Sequence, residues 1–205
     1  MSISIEFLSI VGMWAAQAFY FLCFLPQIIT NYRRKSCAGL SEFFLFGYLN
    51  VYVAVLYYTF SCNLPFAYKV LCPLQAAAVL VIIFQRLYYD RSPVNKKYWF
   101  LYGGNVTGAM MLMPIDLYNP DRFGMIAGWV MFTLALINQL PQVVKIFKEK
   151  SVVGFSFGFV FLTTLAATTE FVTALFVGLP LQTLLSSLRG IVIGLVWMGQ
   201  FWLYR

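Results

Sequence analysis

The chain has 205 residues, of which 61% are hydrophobic and only 10% charged, with a mean hydropathy of +0.80. A water-soluble domain carries about 25% charged residues, and a chain this short cannot hide so much apolar surface in a core of its own, so lipid is the solvent that fits. The net charge of +7 does not indicate a nucleic-acid partner, because the basic residues fall in short clusters between apolar spans, and the absence of histidine removes histidine bases, histidine proton relays and ordinary zinc–histidine sites.

Seven segments are long enough to cross a hydrocarbon core, which takes roughly 20 helical residues. They lie near 7–32, 42–60, 66–89, 97–115, 123–148, 156–178 and 181–204. Continuous apolar runs of this length exclude the alternating pattern of barrel strands, so the expected class is an all-α membrane protein with seven transmembrane helices. The connections carry the orientation signal. Arg33, Arg34, Lys35, Arg86, Arg91, Lys96, Lys97, Lys145, Lys148, Lys150 and Arg205 fall on one side, against Lys69 and Arg122 on the other. That asymmetry predicts an outside or lumenal N-terminus and a cytosolic C-terminus.

The N-terminus has no basic leader or cleavage site, and reads as the first helix. Cys23, Cys37, Cys62 and Cys72 have no metal or disulfide spacing. No metal, cofactor or nucleophile–base arrangement is indicated, and an enzyme is not expected.

The chain repeats itself. LPQIITNYRRKSCAGLS, from Leu25, aligns without gaps to LPQVVKIFKEKSVVGFS, from Leu140, at an offset of 115 residues. The same offset pairs Trp14 with Trp129, Phe44 with Phe159, Leu64-Pro65 with Leu179-Pro180, Gln85 with Gln200 and Tyr89 with Tyr204. Spans one to three and five to seven are therefore two copies of one unit. Span four returns the chain so that the second copy enters with the same orientation as the first, which makes two parallel triple-helix bundles joined by a connector helix. The corresponding divisions are 1–92, 93–121 and 122–205.

A Pro-Gln pair near the end of the first helix of each unit, followed by a basic stretch and K-S-x-x-G-[LF]-S, resembles the PQ-loop repeat family. That family includes cystinosin-like and lysosomal cationic amino-acid transporters and the SWEET sugar carriers, with the KDEL receptors as distant relatives. The closing QFWLYR also resembles the ends of cystinosin-like chains. The resemblance implies a transporter of a small molecule across a lipid bilayer.

Proline within a helix removes one backbone hydrogen bond and crowds the preceding turn. Pro26 and Pro141 leave the carbonyls of Leu22 and Ile137 short of a partner, and the adjoining Gln27 and Gln142 carry both a donor and an acceptor. Either the pairs are static kinks or they are hinges. Two matched kinks in a duplicated unit favour hinges, as the resemblance also implies. Gly39 and Gly154 read as turns, and Ser41 and Ser156 as the helix N-caps that follow.

Only Glu170 and Arg189 are ionisable well inside spans, at matching depth on consecutive helices. Three readings stay open: a structural ion pair, a substrate site fitting the ammonium and carboxylate of an amino acid, and Glu170 as a proton-coupling carboxylate. Their counterparts in the first unit are Val55 and Leu74, so the charges belong to one copy. Asn138 and Gln139, a turn before the second Pro-Gln pair, are expected to line the path, with Asn50, Gln75, Asn105 and Ser187 as further candidates.

Ser187 stands where SWEET-like chains usually carry asparagine, which weakens a sugar reading. The aspartate usual in the last helix of cystinosin-like chains falls near Ile193 here, so proton coupling is left open. The leading expectation is an alternating-access amino-acid transporter. The alternatives are a SWEET-type sugar carrier or a KDEL-receptor-like ligand receptor, which would bind without transporting. The short C-terminal end slightly favours a bacterial inner membrane over a lysosomal one.

Overall fold

The structure is a computed structural model that describes residues 3–90 and 119–204, with side chains from Phe7 onward. The expected span at 97–115, with Asn105, Arg91, Lys96 and Lys97, lies outside the described residues, as does Arg205. Among the described residues every regular element is a helix: α1 (Ile3–Leu22), α2 (Phe24–Arg34), α3 (Glu42–Ser61), α4 (Phe66–Tyr89), α5 (Pro120–Glu149), α6 (Phe157–Val177) and α7 (Leu181–Tyr204). Six helical segments are long and apolar enough to cross a membrane, α1 and α2 together forming the one at Phe7–Arg34.

The two Pro-Gln helices are built differently. In the first copy the helix breaks at Cys23, three residues before Pro26, where the proline withholds its N–H from the Leu22 carbonyl. In the second copy α5 runs unbroken through Pro141. The ends match again beyond the motif. Lys35 (φ 51°) and Lys150 (φ 47°) both close their helices in the left-handed conformation. Ser41 and Ser156 then cap α3 and α6, their hydroxyls accepting from the N–H groups of Phe44 at 3.5 Å and Phe159 at 3.4 Å. At the opposite ends of α3 and α6 another repeat-matched pair, Asn63 (φ 48°) and Gly178 (φ 70°), takes the left-handed turn.

Between the copies, α1 packs on α6 and α3 packs on α5. Within them, α4 touches both α1 and α3, and α7 touches both α5 and α6. Small residues set the close approaches: a Cβ at Gly190 would stand 2.9 Å from that of Ala167, and one at Gly128 would meet the Tyr58 ring at 2.9 Å. Lipid offers no hydrophobic drive for helices to associate, so this packing and the polar bonds across it hold the arrangement.

A candidate solute cavity braced at both ends

A cavity of about 110 Å³ opens where the two copies meet, with walls from α1, α3, α4, α5, α6 and α7. Glu170 and Arg189, the two charged side chains expected within the spans, both line it. Glu170, 8% exposed on α6, accepts from Gln17 Nε2 (3.0 Å) and Tyr68 Oη (2.7 Å) at Oε1, and from Tyr20 Oη (3.0 Å) at Oε2. Gln17 is itself oriented by Gln75, whose Nε2 donates to its Oε1 at 3.0 Å. Arg189, on α7, donates from Nη1 to Gln139 Oε1 (2.5 Å) and the Ala135 carbonyl (3.2 Å), and from Nη2 to Ser186 Oγ (3.4 Å). Gln139 is steadied in turn by a bond to Tyr48 Oη at 3.3 Å.

The expected direct pair between Glu170 and Arg189 is not made. Among the described residues the ion pairs are Arg86–Glu42, Arg86–Asp90 and Lys145–Glu149. The reason is local supply. α1 and α4 bring three uncharged donors to the carboxylate, and α5 brings two carbonyl-type acceptors to the guanidinium, so each is satisfied on its own wall.

The other expected site residues divide. Gln75, Asn138 and Gln139 line the cavity. With its amide nitrogen toward α3, Asn138 donates to the carbonyls of Phe44 (2.7 Å) and Phe43 (3.1 Å). Ser187 is fully buried but turned onto its own helix, donating to the Thr183 carbonyl at 2.9 Å; its neighbour Ser186 faces the cavity instead. Asn50 is half-buried on α3 and does not line the cavity. The tyrosines at 20, 48, 58 and 68 were not anticipated as wall residues. One signal was available: Thr183, Ser186 and Arg189 recur at three-residue spacing, a polar stripe along one face of α7.

At the Pro-Gln end, the motif glutamines reach across to the opposite copy. Gln27 accepts from Ser156 N (2.8 Å) and donates to the Gly154 carbonyl (2.9 Å). Gln142 accepts from Ser41 N (2.7 Å) and donates to the Gly39 carbonyl (3.1 Å). The two glycine turns touch, such that a Cβ on Gly39 would lie 2.5 Å from the Gly154 carbonyl carbon. Gly39 is thus needed for contact, whereas Gly154 also has a left-handed φ of 89°. Lys145 adds two further bonds from α5, to the Ala38 carbonyl and to the Leu40 carbonyl at 3.4 Å.

Between this brace and the cavity lies an aromatic layer. Trp197 packs against Phe155 (ring centroids 5.3 Å apart) and Phe44 (5.7 Å), and Phe24 against Phe159 (5.8 Å). The opposite end is bridged between the copies by the bonds of Gln17, Tyr20 and Tyr68 to Glu170 and by Tyr58 to Thr183 at 2.8 Å.

The loop after the first Pro-Gln helix is tied down by Asp90, which accepts from Ser36 Oγ and Cys37 N, both at 2.9 Å, and pairs with Arg86 at 2.5 Å. Burial, with the Asp90 carboxylate adding to it and Arg86 opposing, pushes the Cys37 thiol up to about 12.

The PQ loop repeat family model matches residues 8–68 and 123–183, and the chain belongs to that family. It is 31% identical to an uncharacterized protein of Schizosaccharomyces pombe over 144 residues, which cover 66% of this chain and 50% of that one. It is 27% identical to cystinosin of Drosophila melanogaster over 183 residues, covering 73% of this chain and 44% of that protein. The chain thus spans about half the length of these curated relatives. In fold it is similar to a eukaryotic SWEET transporter, with a TM-score of 0.71, 16% identity and 98% of both chains covered. Family, fold and apolar helices together make this an integral multi-pass membrane protein.

Proposed function

We propose that the protein is an alternating-access transporter of a small polar solute, with an amino acid as substrate. The observation that carries this reading is a cavity at the junction of the copies that holds Glu170 and Arg189, with polar bonds between the copies on either side of it. Hydrogen bonds between the copies on either side of a cavity can break and re-form in turn, which a carrier needs and a permanent channel does not. Residues 1–92 and 122–205 are the two moving units in this reading, with 93–121 as connector. Pro26 and Pro141 are the points about which the Pro-Gln ends swing. Cystinosin and SWEET carriers, among the similar proteins, support transport as the class of activity.

The cavity carries one positive and one negative group, so a zwitterion enters without leaving a net charge behind. Glu170, Arg189, Gln139, Asn138 and Gln75 are the proposed binding or coupling residues. The test is counterflow in proteoliposomes loaded with each of a panel of amino acids and sugars. Saturable exchange of amino acids that is lost in Arg189→Gln is expected. Binding of a solute without any flux would replace the carrier by a receptor.

A further inference from the structure

Glu170 and Arg189 share a cavity, but they are not equally available to a visitor. A carboxylate offers about four lone-pair positions. Three of those on Glu170 are taken, by Gln17, Tyr20 and Tyr68, and Gln17 cannot turn away without abandoning Gln75. An incoming ammonium must displace an uncharged donor that is already well placed.

Arg189 is the reverse case. Its Nη1 is fully engaged by Gln139 and Ala135, which fixes the plane of the guanidinium. The other edge, formed by Nε and Nη2, is the side on which guanidinium binds carboxylate through two parallel bonds. On that edge Nη2 has only the long 3.4 Å contact to Ser186, and Nε, buried from solvent, has no acceptor among the described residues. No carboxylate among the described residues lies in pairing range of this cation. A partly buried guanidinium whose direct contacts are all uncharged oxygens has its counter-charge, Glu170, out of contact, and its unsatisfied edge costs stability until something fills it. Ser186 can clear the edge by a single χ1 rotation.

We infer that Arg189 is the anchor for a carboxylate on the solute, and that Glu170 does not touch the solute. The inference rests on the cavity being the solute site, and deepens that reading by naming the group recognised. It predicts an order of ligands. Amino acids and their 2-hydroxy-acid counterparts bind, because both carry the carboxylate. The corresponding amines do not, because Glu170, the one anionic wall group among the described residues, is already occupied.

The experiment is a thermal-shift titration of the purified full chain with two matched sets, alanine, lactate and ethylamine, and leucine, 2-hydroxy-4-methylpentanoate and 3-methylbutylamine, with glucose as the neutral control. Amino acids or hydroxy acids of at least one set should raise the melting temperature, and amines and glucose should not. Arg189→Gln should weaken acid binding at least tenfold. Arg189→Lys, which keeps the charge and loses the fork, should fall between the two and shows that a loss is not mere unfolding. The inference is overturned if amines bind as well as acids, if no acid in either set binds, or if Arg189→Gln keeps acid affinity within twofold. Acid binding without flux would remove the carrier and leave the anchor. Flux of glucose with no response to acids would remove the anchor and leave the carrier.

Discussion

Gln27 and Gln142 make the same two bonds in opposite directions, each to the glycine–serine turn of the other copy. A residue duplicated with its unit usually repeats a contact within that unit. Here the duplicated contact crosses between units, so neither turn can leave without breaking bonds from both. The motif glutamine is therefore a clasp as much as a neighbour of the hinge proline.

Replacing either glutamine by leucine should open the Pro-Gln end. Each substitution orphans a buried carbonyl and N–H, at about 1–3 kcal/mol apiece while that end stays closed. In the open state water satisfies the same groups, so the open population should rise by roughly tenfold or more. Gln27→Leu should act more strongly than Gln142→Leu, because Gln27 also donates to Asn31 at 2.8 Å. Spin labels at Ala38 and Val153, exposed positions on the two turns, report the separation. An unchanged distance distribution in both variants would show that the bonds do not hold this end shut.

Asn31 marks where the copies diverge. It links Gln27 to Gln85, whose amide nitrogen reaches the Ile28 carbonyl at 3.1 Å. In the second copy Gln200 repeats the last bond, to Val143 at 2.9 Å, but Ile146 stands in place of Asn31 and the Gln200 Oε1 is buried without a partner among the described residues. Ile146→Asn should supply that partner and extend the chain to Gln142. The melting temperature is expected to hold or rise. Ile146→Ser, too short to reach, should lower it by the usual cost of a cavity and an unpaired hydroxyl, about 2–4 kcal/mol. Equal losses in the two variants would sink the idea that the missing bond matters.

Much of this could be read before any coordinates. Apolar run length gave six of the seven expected spans, the seventh lying outside the described residues; the glycine–serine turns predicted that Ser41 and Ser156 cap helices, and counting from the helix ends put Glu170 and Arg189 at one depth. What could not be read was who bonds whom across the copies. Periodicity places a side chain on a helix face but leaves the facing helix open, so the crossing of Gln27 to Ser156 had no sequence signal. Tyr20 and Tyr68 look like packing aromatics in an apolar run, and only the fold shows their hydroxyls turned to one carboxylate. The break at Cys23 without a matching break in α5 also depends on packing, since both helices carry the same proline.

Cys37 should report the opening of the Pro-Gln end. Its thiol is wholly buried beneath the turn and held up at about 12. At pH 8 only about one thiol in 10⁴ is then ionised, and the thiolate is the reactive form. Opening exposes it and returns it toward about 8.5, so alkylation at pH 8 should accelerate by orders of magnitude in Gln27→Leu. The sign for stability follows from the raised value. The neutral thiol stabilises the closed turn below its ordinary pKa, and that contribution is lost as pH rises through 9 toward 12. Alkylation is read in a chain with Cys23, Cys62 and Cys72 replaced by serine. Equal rates in the two backgrounds would mean the turn stays closed when its clasp is gone.

At the opposite end the latch is Glu170. Its three donors come from α1 and α4, while the carboxylate sits on α6, so the bonds join the two copies. Hydrogen bonds to a charged group contribute about 1.5–3 kcal/mol each. Tyr68→Phe removes the shortest of them with little change in shape, and should favour opening away from the Pro-Gln loops. Glu170→Gln keeps one accepting oxygen but loses the charge, and should weaken all three bonds together, giving the larger effect. Cys72 lines the cavity beside Gln17 and serves as the reporter. Its labelling by a membrane-impermeant thiol reagent, added on the side away from the Pro-Gln loops, should quicken in Tyr68→Phe and further in Glu170→Gln. A lowered melting temperature with unchanged Cys72 labelling would reduce Glu170 to a packing element. Faster labelling from the Pro-Gln side instead would place the latch at the wrong end. The expected outcome leaves the two charged groups with separate tasks, Glu170 holding the copies together and Arg189 holding what passes between them.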